Sequence, residues 1–198
     1  MTHSCARDRS GNLTLILTVV MMGFSHFVAA EDKADCAPVF KTERVRLHSS
    51  QTVDLCALTA GKPVLLVNTA SHCGFTPQFK ELEALHQRYA PDGLVILGVP
   101  SDDFFQEADD QAETAEVCYK NYGVTFTMLS PAHVKGPGAD PMFAEVGKQS
   151  EEPSWNFNKY LVSPQGQVLN HWGSRENPSS TTITRYGHDS CKKLPLFS

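Results

Sequence analysis

The sequence predicts an α/β protein with a central mixed sheet flanked by helices, and three observations carry that prediction. Val64-Leu65-Leu66-Val67 and Leu94-Val95-Ile96-Leu97-Gly98-Val99 are continuous apolar runs, the pattern of strands covered on both faces. Between them Phe79, Leu82, Leu85 and Tyr89 recur at helical spacing, so one stripe of that helix faces the sheet. Near the C-terminus, residues 157–162 and 167–172 read as an antiparallel hairpin around Ser163-Pro164-Gln165-Gly166, with Gly166 free to take positive φ.

Taken in order, residues 45–55 alternate around Ser49-Ser50-Gln51 as a short edge hairpin does. Gly61-Lys62-Pro63 then precedes the first core strand. Small and polar residues from Ala70 to Phe75 end that strand. Thr76 fits a helix N-cap and Pro77 the first helical position, which predicts a helix over residues 76–89. Pro91-Asp92-Gly93 turns the chain into the second core strand, completing a βαβ unit with a right-handed crossover and a parallel pair. Residues 100–110 form a polar loop at the carboxyl end of that strand, the edge where open α/β sheets carry their sites. Residues 112–122 predict a helix stopped by Gly123, and residues 124–129 a further strand. Residues 131–141 read as a loop rich in Gly and Pro, and residues 142–148 as a short helix. A βαβ unit followed by a helix and a β-hairpin is the thioredoxin-like arrangement. From Asn177 onward Ser and Thr dominate, and no helical stripe is visible.

The composition bounds what such a fold can do. At 198 residues and 41% hydrophobic, the chain suits one domain with a full core. A net charge of −5 leaves no basic footprint for nucleic acid or anionic lipid. Arg7 and Arg9 precede an apolar stretch over residues 13–24, and Val28-Ala29-Ala30 supplies small residues ahead of a cut. This is the layout of a cleaved secretory signal over residues 1–30, too short in its apolar part for a span of about 20 residues. The expectation is an exported protein, periplasmic or secreted, without stable membrane insertion after cleavage. Its single domain covers residues 31–180, followed by a tail over 181–198.

Export implies an oxidising compartment, which changes how the cysteines read. Cys5 leaves with the signal, and Cys36, Cys56, Cys73, Cys118 and Cys191 remain, an odd set. Cys36 and Cys56 both precede the first core strand. They read either as a disulfide pinning the N-terminal segment or as two unrelated buried thiols. Cys191, beside Lys192 and Lys193, reads as a loose tail thiol.

Cys73 sits just ahead of a helix N-terminus, where free N–H groups and the helix dipole favour thiolate. Gly, Ser, His and Thr around it fit an exposed loop better than a core; a buried structural cysteine is the competing reading. A thiolate attacking a peroxide must expel a poor leaving group, so the site needs donors aimed at the breaking O–O bond. Gln106, Trp155 and Asn156 are neutral donors on loops that the topology can bring to the same edge. His72, Cys73 and His86 lack convincing zinc spacing, and neither a metal nor another cofactor is expected.

These residues lie in segments that resemble the glutathione peroxidase family. The resemblance runs through Asn68-Thr69-Ala70-Ser71-His72-Cys73-Gly74-Phe75-Thr76-Pro77-Gln78, residues 94–100, Tyr122-Gly123-Val124-Thr125-Phe126 and Trp155-Asn156-Phe157, across roughly residues 40 to 180. It implies a peroxidase whose tetrad is Cys73, Gln106, Trp155 and Asn156, with cysteine where some members carry selenocysteine. It implies hydrogen peroxide and organic or lipid hydroperoxides as substrates, and glutathione or a thioredoxin-like protein as reductant. Cys118 matches the resolving cysteine of thioredoxin-dependent members; a plain core position on an amphipathic helix is the alternative. The short stretch over residues 147–154 lacks the insertion of tetrameric members, which implies a monomer. Two departures stand out. The glutamine motif, Asp102-Asp103-Phe104-Phe105-Gln106-Glu107, is one residue shorter than the family's usual Asn-Gln-Phe-Gly-x-Gln-Glu, and Ser101 stands where many members have cysteine. The rival classes are a thiol–disulfide oxidoreductase, which wants a second cysteine in the Cys73 turn, and a binding or metallochaperone module, which wants a second soft ligand there.

Overall fold

The computed structural model describes residues 36–180 together with Ile183 and Thr184. The expected signal over residues 1–30, Cys5, Cys191 and most of the tail lie outside the described residues. Within them the chain runs β1 (Glu43–Val45), β2 (Thr52–Asp54), α1 (Leu55–Thr59), β3 (Val64–Thr69), α2 (Gln78–Tyr89), β4 (Val95–Pro100), α3 (Gln111–Ala115), β5 (Thr127–Met128), α4 (Pro141–Gln149), β6 (Lys159–Val162) and β7 (Val168–Trp172).

The central sheet has the order β5-β4-β3-β6-β7. β3 pairs in parallel with β4, β4 in parallel with β5, and β6 runs antiparallel to both β3 and β7, so the sheet is mixed. Every residue of β3 is buried because both of its faces are covered. Leu65 and Val67 join Phe79, Leu82, Leu85 and Tyr89 of α2 in one core. Val64 and Leu66 point the other way, into a second core with Met142, Phe143 and Val146 of α4. At about 25 cal/mol per Å², each fully buried aliphatic side chain contributes roughly 1.5–3 kcal/mol, which makes this strand the anchor of the fold.

Several local expectations need correction. Thr76 does not cap α2, which starts at Gln78 with no side-chain cap; its hydroxyl is engaged by the preceding turn. Leu55 leaves the edge hairpin and opens α1, where the Asp54 side chain accepts the Ala57 N–H at 3.1 Å. The expected strand over residues 124–129 shrinks to Thr127–Met128. The helix over residues 112–122 is α-helical only to Ala115, and Glu116–Asn121 is wound as π-helix before Gly123 ends it at φ 66°. Gly166 closes the β6–β7 turn at φ 89°, and a Cβ there would sit 2.9 Å from the Ala37 Cβ.

Cys36 and Cys56 form a disulfide. It closes a separation of 20 residues and ties the segment ahead of β1 to α1, a constraint of the order of 3 kcal/mol on the unfolded chain. Among the described residues no helix is long and apolar enough to cross a membrane.

Candidate active site

Cys73 lies in the turn between β3 and α2, at the carboxyl edge of the sheet. The turn is braced from within. Thr76 Oγ1 accepts the Cys73 N–H at 3.1 Å and donates to the Ala70 carbonyl at 2.8 Å, while the Thr76 N–H returns to the Cys73 carbonyl at 2.9 Å. The Phe75 N–H points at Cys73 Sγ, at 3.5 Å. The expectation of an exposed loop is corrected here: Cys73 is only 6% exposed and packs in the core beneath α2. The small and polar residues around it serve a tight turn rather than a solvated one. His72 beside it is half-exposed, with Nε2 3.1 Å from Glu113 Oε1.

Gln106 reaches this turn through its backbone, its carbonyl accepting the His72 N–H at 2.9 Å. Its side-chain Oε1 accepts from Asn156 Nδ2 at 3.2 Å. Gln106 therefore keeps its own amide hydrogens for a further acceptor. Asn156 is fully buried, and its Oδ1 has no partner. The one-residue deletion in the glutamine motif has not removed Gln106 from Asn156. Phe105, next to Gln106, is 90% exposed and stands at φ 57°.

Trp155 is 41% exposed, its ring packed on Phe104 with centroids 5.3 Å apart. The loop carrying Trp155 and Asn156 is held by side chains that sequence reasoning passed over. Asn68, on β3, donates through Nδ2 to the Trp155 carbonyl at 3.0 Å and accepts the Asn158 N–H at 3.0 Å on Oδ1. The Asn68 carbonyl takes the Phe157 N–H at 2.7 Å. Phe157 itself sits at φ 60°, a conformation costing about 1–2 kcal/mol outside glycine, with its ring buried edge-on to Phe79. Lys159 is fully buried, its ammonium donating to the carbonyls of Phe157 at 2.8 Å and Glu176 at 2.7 Å. Burial lowers its pKa to about 7, against a smaller opposing pull from Glu176.

Cys118 is also buried and unbonded, in the same core as Cys73 and within the π-helical stretch. Burial first, and the charge of Glu107 second, push its thiol up to about 12. Cys118 is thus held protonated. Glu107 follows Gln106 in sequence and is 9% exposed, accepting from Ser71 and Thr114 hydroxyls. Cys73 and Cys118 are the free cysteines among the described residues, so no second thiol stands in the Cys73 turn. No group of three or more His, Cys, Asp or Glu able to hold a metal occurs among the described residues.

Comparison with known proteins bears on this arrangement. The family model described as glutathione peroxidase matches residues 39–146. The glutathione peroxidase-like peroxiredoxin gpx1 of Schizosaccharomyces pombe is 48% identical over 124 residues, spanning 60% of this chain and 78% of that protein. The glutathione peroxidase-like peroxiredoxin HYR1 of Saccharomyces cerevisiae is 43% identical over 131 residues, spanning 63% and 80%. Among solved structures, that of Trgpx in its apo form superposes with a TM-score of 0.62 at 31% identity, covering 79% of this chain and 96% of that one.

Proposed function

Because the chain belongs to the glutathione peroxidase family, in its cysteine-containing form, and is a thiol-dependent peroxidase, we propose that Cys73, Gln106, Trp155 and Asn156 carry the reaction and that Cys118 completes it. The observation that carries this reading is the Asn156–Gln106 hydrogen bond at 3.2 Å, on a Gln106 whose carbonyl is bonded to the residue before Cys73.

In the first half-cycle the Cys73 thiolate attacks the distal oxygen of a hydroperoxide. An S–O bond forms and the O–O bond breaks; sulfur loses two electrons and the peroxide gains them. The departing alkoxide or hydroxide leaves as alcohol or water after taking a proton. Gln106, Trp155 and Asn156 supply donors without adding a base that would compete for the thiol proton, and a single such donor typically contributes 10²–10³ in rate, roughly. In the second half-cycle the Cys118 sulfur attacks the Cys73 sulfenic acid. The S–S bond forms, the S–O bond breaks, and hydroxide departs as water with the proton of the Cys118 thiol. A dithiol protein of the thioredoxin type then reduces the disulfide, with glutathione the alternative donor.

Hydrogen peroxide and organic hydroperoxides, including those of lipids, are the substrates. The protein acts as a monomer outside the cytoplasm, a reading that rests on residues 1–30 and on the short stretch before Trp155. Peroxide consumption by the purified protein and by Cys73→Ser, each supplied with glutathione or with a thioredoxin system, tests the reading. Equal rates for the two proteins sink it, and faster turnover with glutathione than with the dithiol sinks the role given to Cys118.

A further inference from the structure

Between the Cys73 turn and the Cys118 helix sits a buried carboxyl that the cycle above does not use. Glu107 Oε1 accepts from Ser71 Oγ, two residues before Cys73, from Thr114 Oγ1 at 2.9 Å, and from the Ala108 N–H at 2.8 Å. Its Oε2 is buried without a partner. Thr114 and Cys118 are each 1% exposed and stand four residues apart, about one helical turn. One carboxyl therefore touches the element carrying one thiol and grips the element carrying the other. Burying a carboxyl with one oxygen unsatisfied is unfavourable, so its place between the two thiols calls for a physical reason.

Resting on the reading of Cys118 as the resolving thiol, we propose that Glu107 is a positioning residue of the second half-cycle. It is a latch that fastens the Cys118 helix to the Cys73 turn and keeps the Cys118 thiol in reserve until the helix lets go.

The helix is built to depend on such a fastening. α3 has five residues and passes directly into the π-helical stretch Glu116–Asn121, a winding that is rare and poorly sustained without outside support. A second tie, His72 to Glu113, joins the same two elements, but both side chains are half-exposed and water screens the pair. The Thr114–Glu107 bond is buried, out of reach of that screening, although burial also raises the Glu107 carboxyl's pKa. Removing it shifts local opening of this segment by the worth of one such bond, about tenfold in the open population. The carboxylate acts on the thiol as well, since its charge adds to burial in keeping Cys118 protonated while the helix is closed.

The test uses the full chain. In a Cys73→Ser background, Thr114→Val is expected to raise the rate of Cys118 alkylation by monobromobimane about tenfold. Glu107→Gln raises it too, and if the valine variant does not fold, faster hydrogen exchange of the amides of residues 115–121 in Glu107→Gln, a readout independent of the thiol's charge, decides the matter. With Cys73 present, the same substitutions accelerate Cys73–Cys118 disulfide formation after one equivalent of hydrogen peroxide. Alkylation rates within twofold of the parent overturn the latch even if the disulfide forms. Faster alkylation with no Cys73–Cys118 disulfide after peroxide upholds the grip of Glu107 and overturns instead the resolving role of Cys118.

Discussion

Asn68 Nδ2 holds the carbonyl of Trp155 at 3.0 Å, and through this bond the loop bearing Trp155 and Asn156 is fastened to the strand that leads into Cys73. The same side chain accepts the Asn158 N–H, so both ends of the loop register on one residue of β3. Replacing Asn68 with leucine keeps the bulk but strands the buried Asn158 N–H, while the Trp155 carbonyl keeps only the Asn158 Nδ2 bond at 2.7 Å. We expect a loss of about 1–3 kcal/mol in stability, the cost of the one stranded N–H, and a fall in kcat/KM for peroxide of at least about tenfold. Urea titration and peroxide consumption measure the two. A stable variant with full kcat/KM removes Asn68 from any part in setting the donor loop.

The donors themselves are separable. Asn156→Ala deletes the hydrogen bond to Gln106 and empties a fully buried position. If Asn156 steadies developing charge as proposed, kcat/KM drops by roughly 10²-fold with Cys73 still alkylated at its normal rate. Stopped-flow oxidation under one peroxide gives the first quantity and iodoacetamide labelling the second. A drop shared equally by both measurements points to a collapsed turn instead of a lost donor.

How far the sequence could be read depended on where the partners of each residue lie. β3 and β4 were legible because strands covered on both faces become unbroken apolar runs, and α2 because its stripe repeats locally. Thr76 misled because a threonine before Pro has two local uses, and here the Cys73 N–H and the Ala70 carbonyl won its hydroxyl from the helix. Exposure of Cys73 is not legible in the sequence because small polar residues mark both a solvated loop and a tight buried turn. Asn68, Glu107 and Lys159 left no signal that periodicity could detect. Each is a buried polar group whose partners lie far along the chain: Asn68 with residues 155–158, Glu107 with residues 71 and 114, Lys159 with residues 173 and 176. In sequence a lysine in a strand or a glutamate in a loop reads as a solvated surface group.

Phe105 stands at φ 57° with 90% of its surface exposed, a bulky residue in a conformation that suits glycine. The family's usual motif has glycine one residue after the aromatic, and this chain has Phe105 there. Since its side chain packs on little, Phe105→Gly relieves backbone strain while removing few contacts. A gain of about 0.5–1 kcal/mol is expected, after the greater entropy of glycine in the unfolded chain is set against the relief. Thermal melts settle the sign; a lower Tm for the glycine variant means that Phe105 makes stabilising contacts the strain argument ignores.

Lys159 gives the stability of the fold a pH dependence of unusual sense. Its pKa is lowered by burial from 10.5 to about 7 in the folded chain, whereas the unfolded chain keeps the ordinary value. Below about pH 7 both states carry the proton, and the full penalty of burying an ammonium is present. Between pH 7 and about 10.5 the unfolded chain binds one proton more at this site, so the contribution of Lys159 to stability rises with pH, by at most about 1.4 kcal/mol per unit. Every other titrating group is common to both proteins, so the comparison is with Lys159→Met. Urea unfolding at pH 6, 7.5 and 9 is expected to show the lysine protein gaining on the methionine variant as pH climbs. Parallel stability curves mean that the ammonium stays charged in its cage of carbonyls throughout, held by its bonds to Phe157 and Glu176 against the cost of burial.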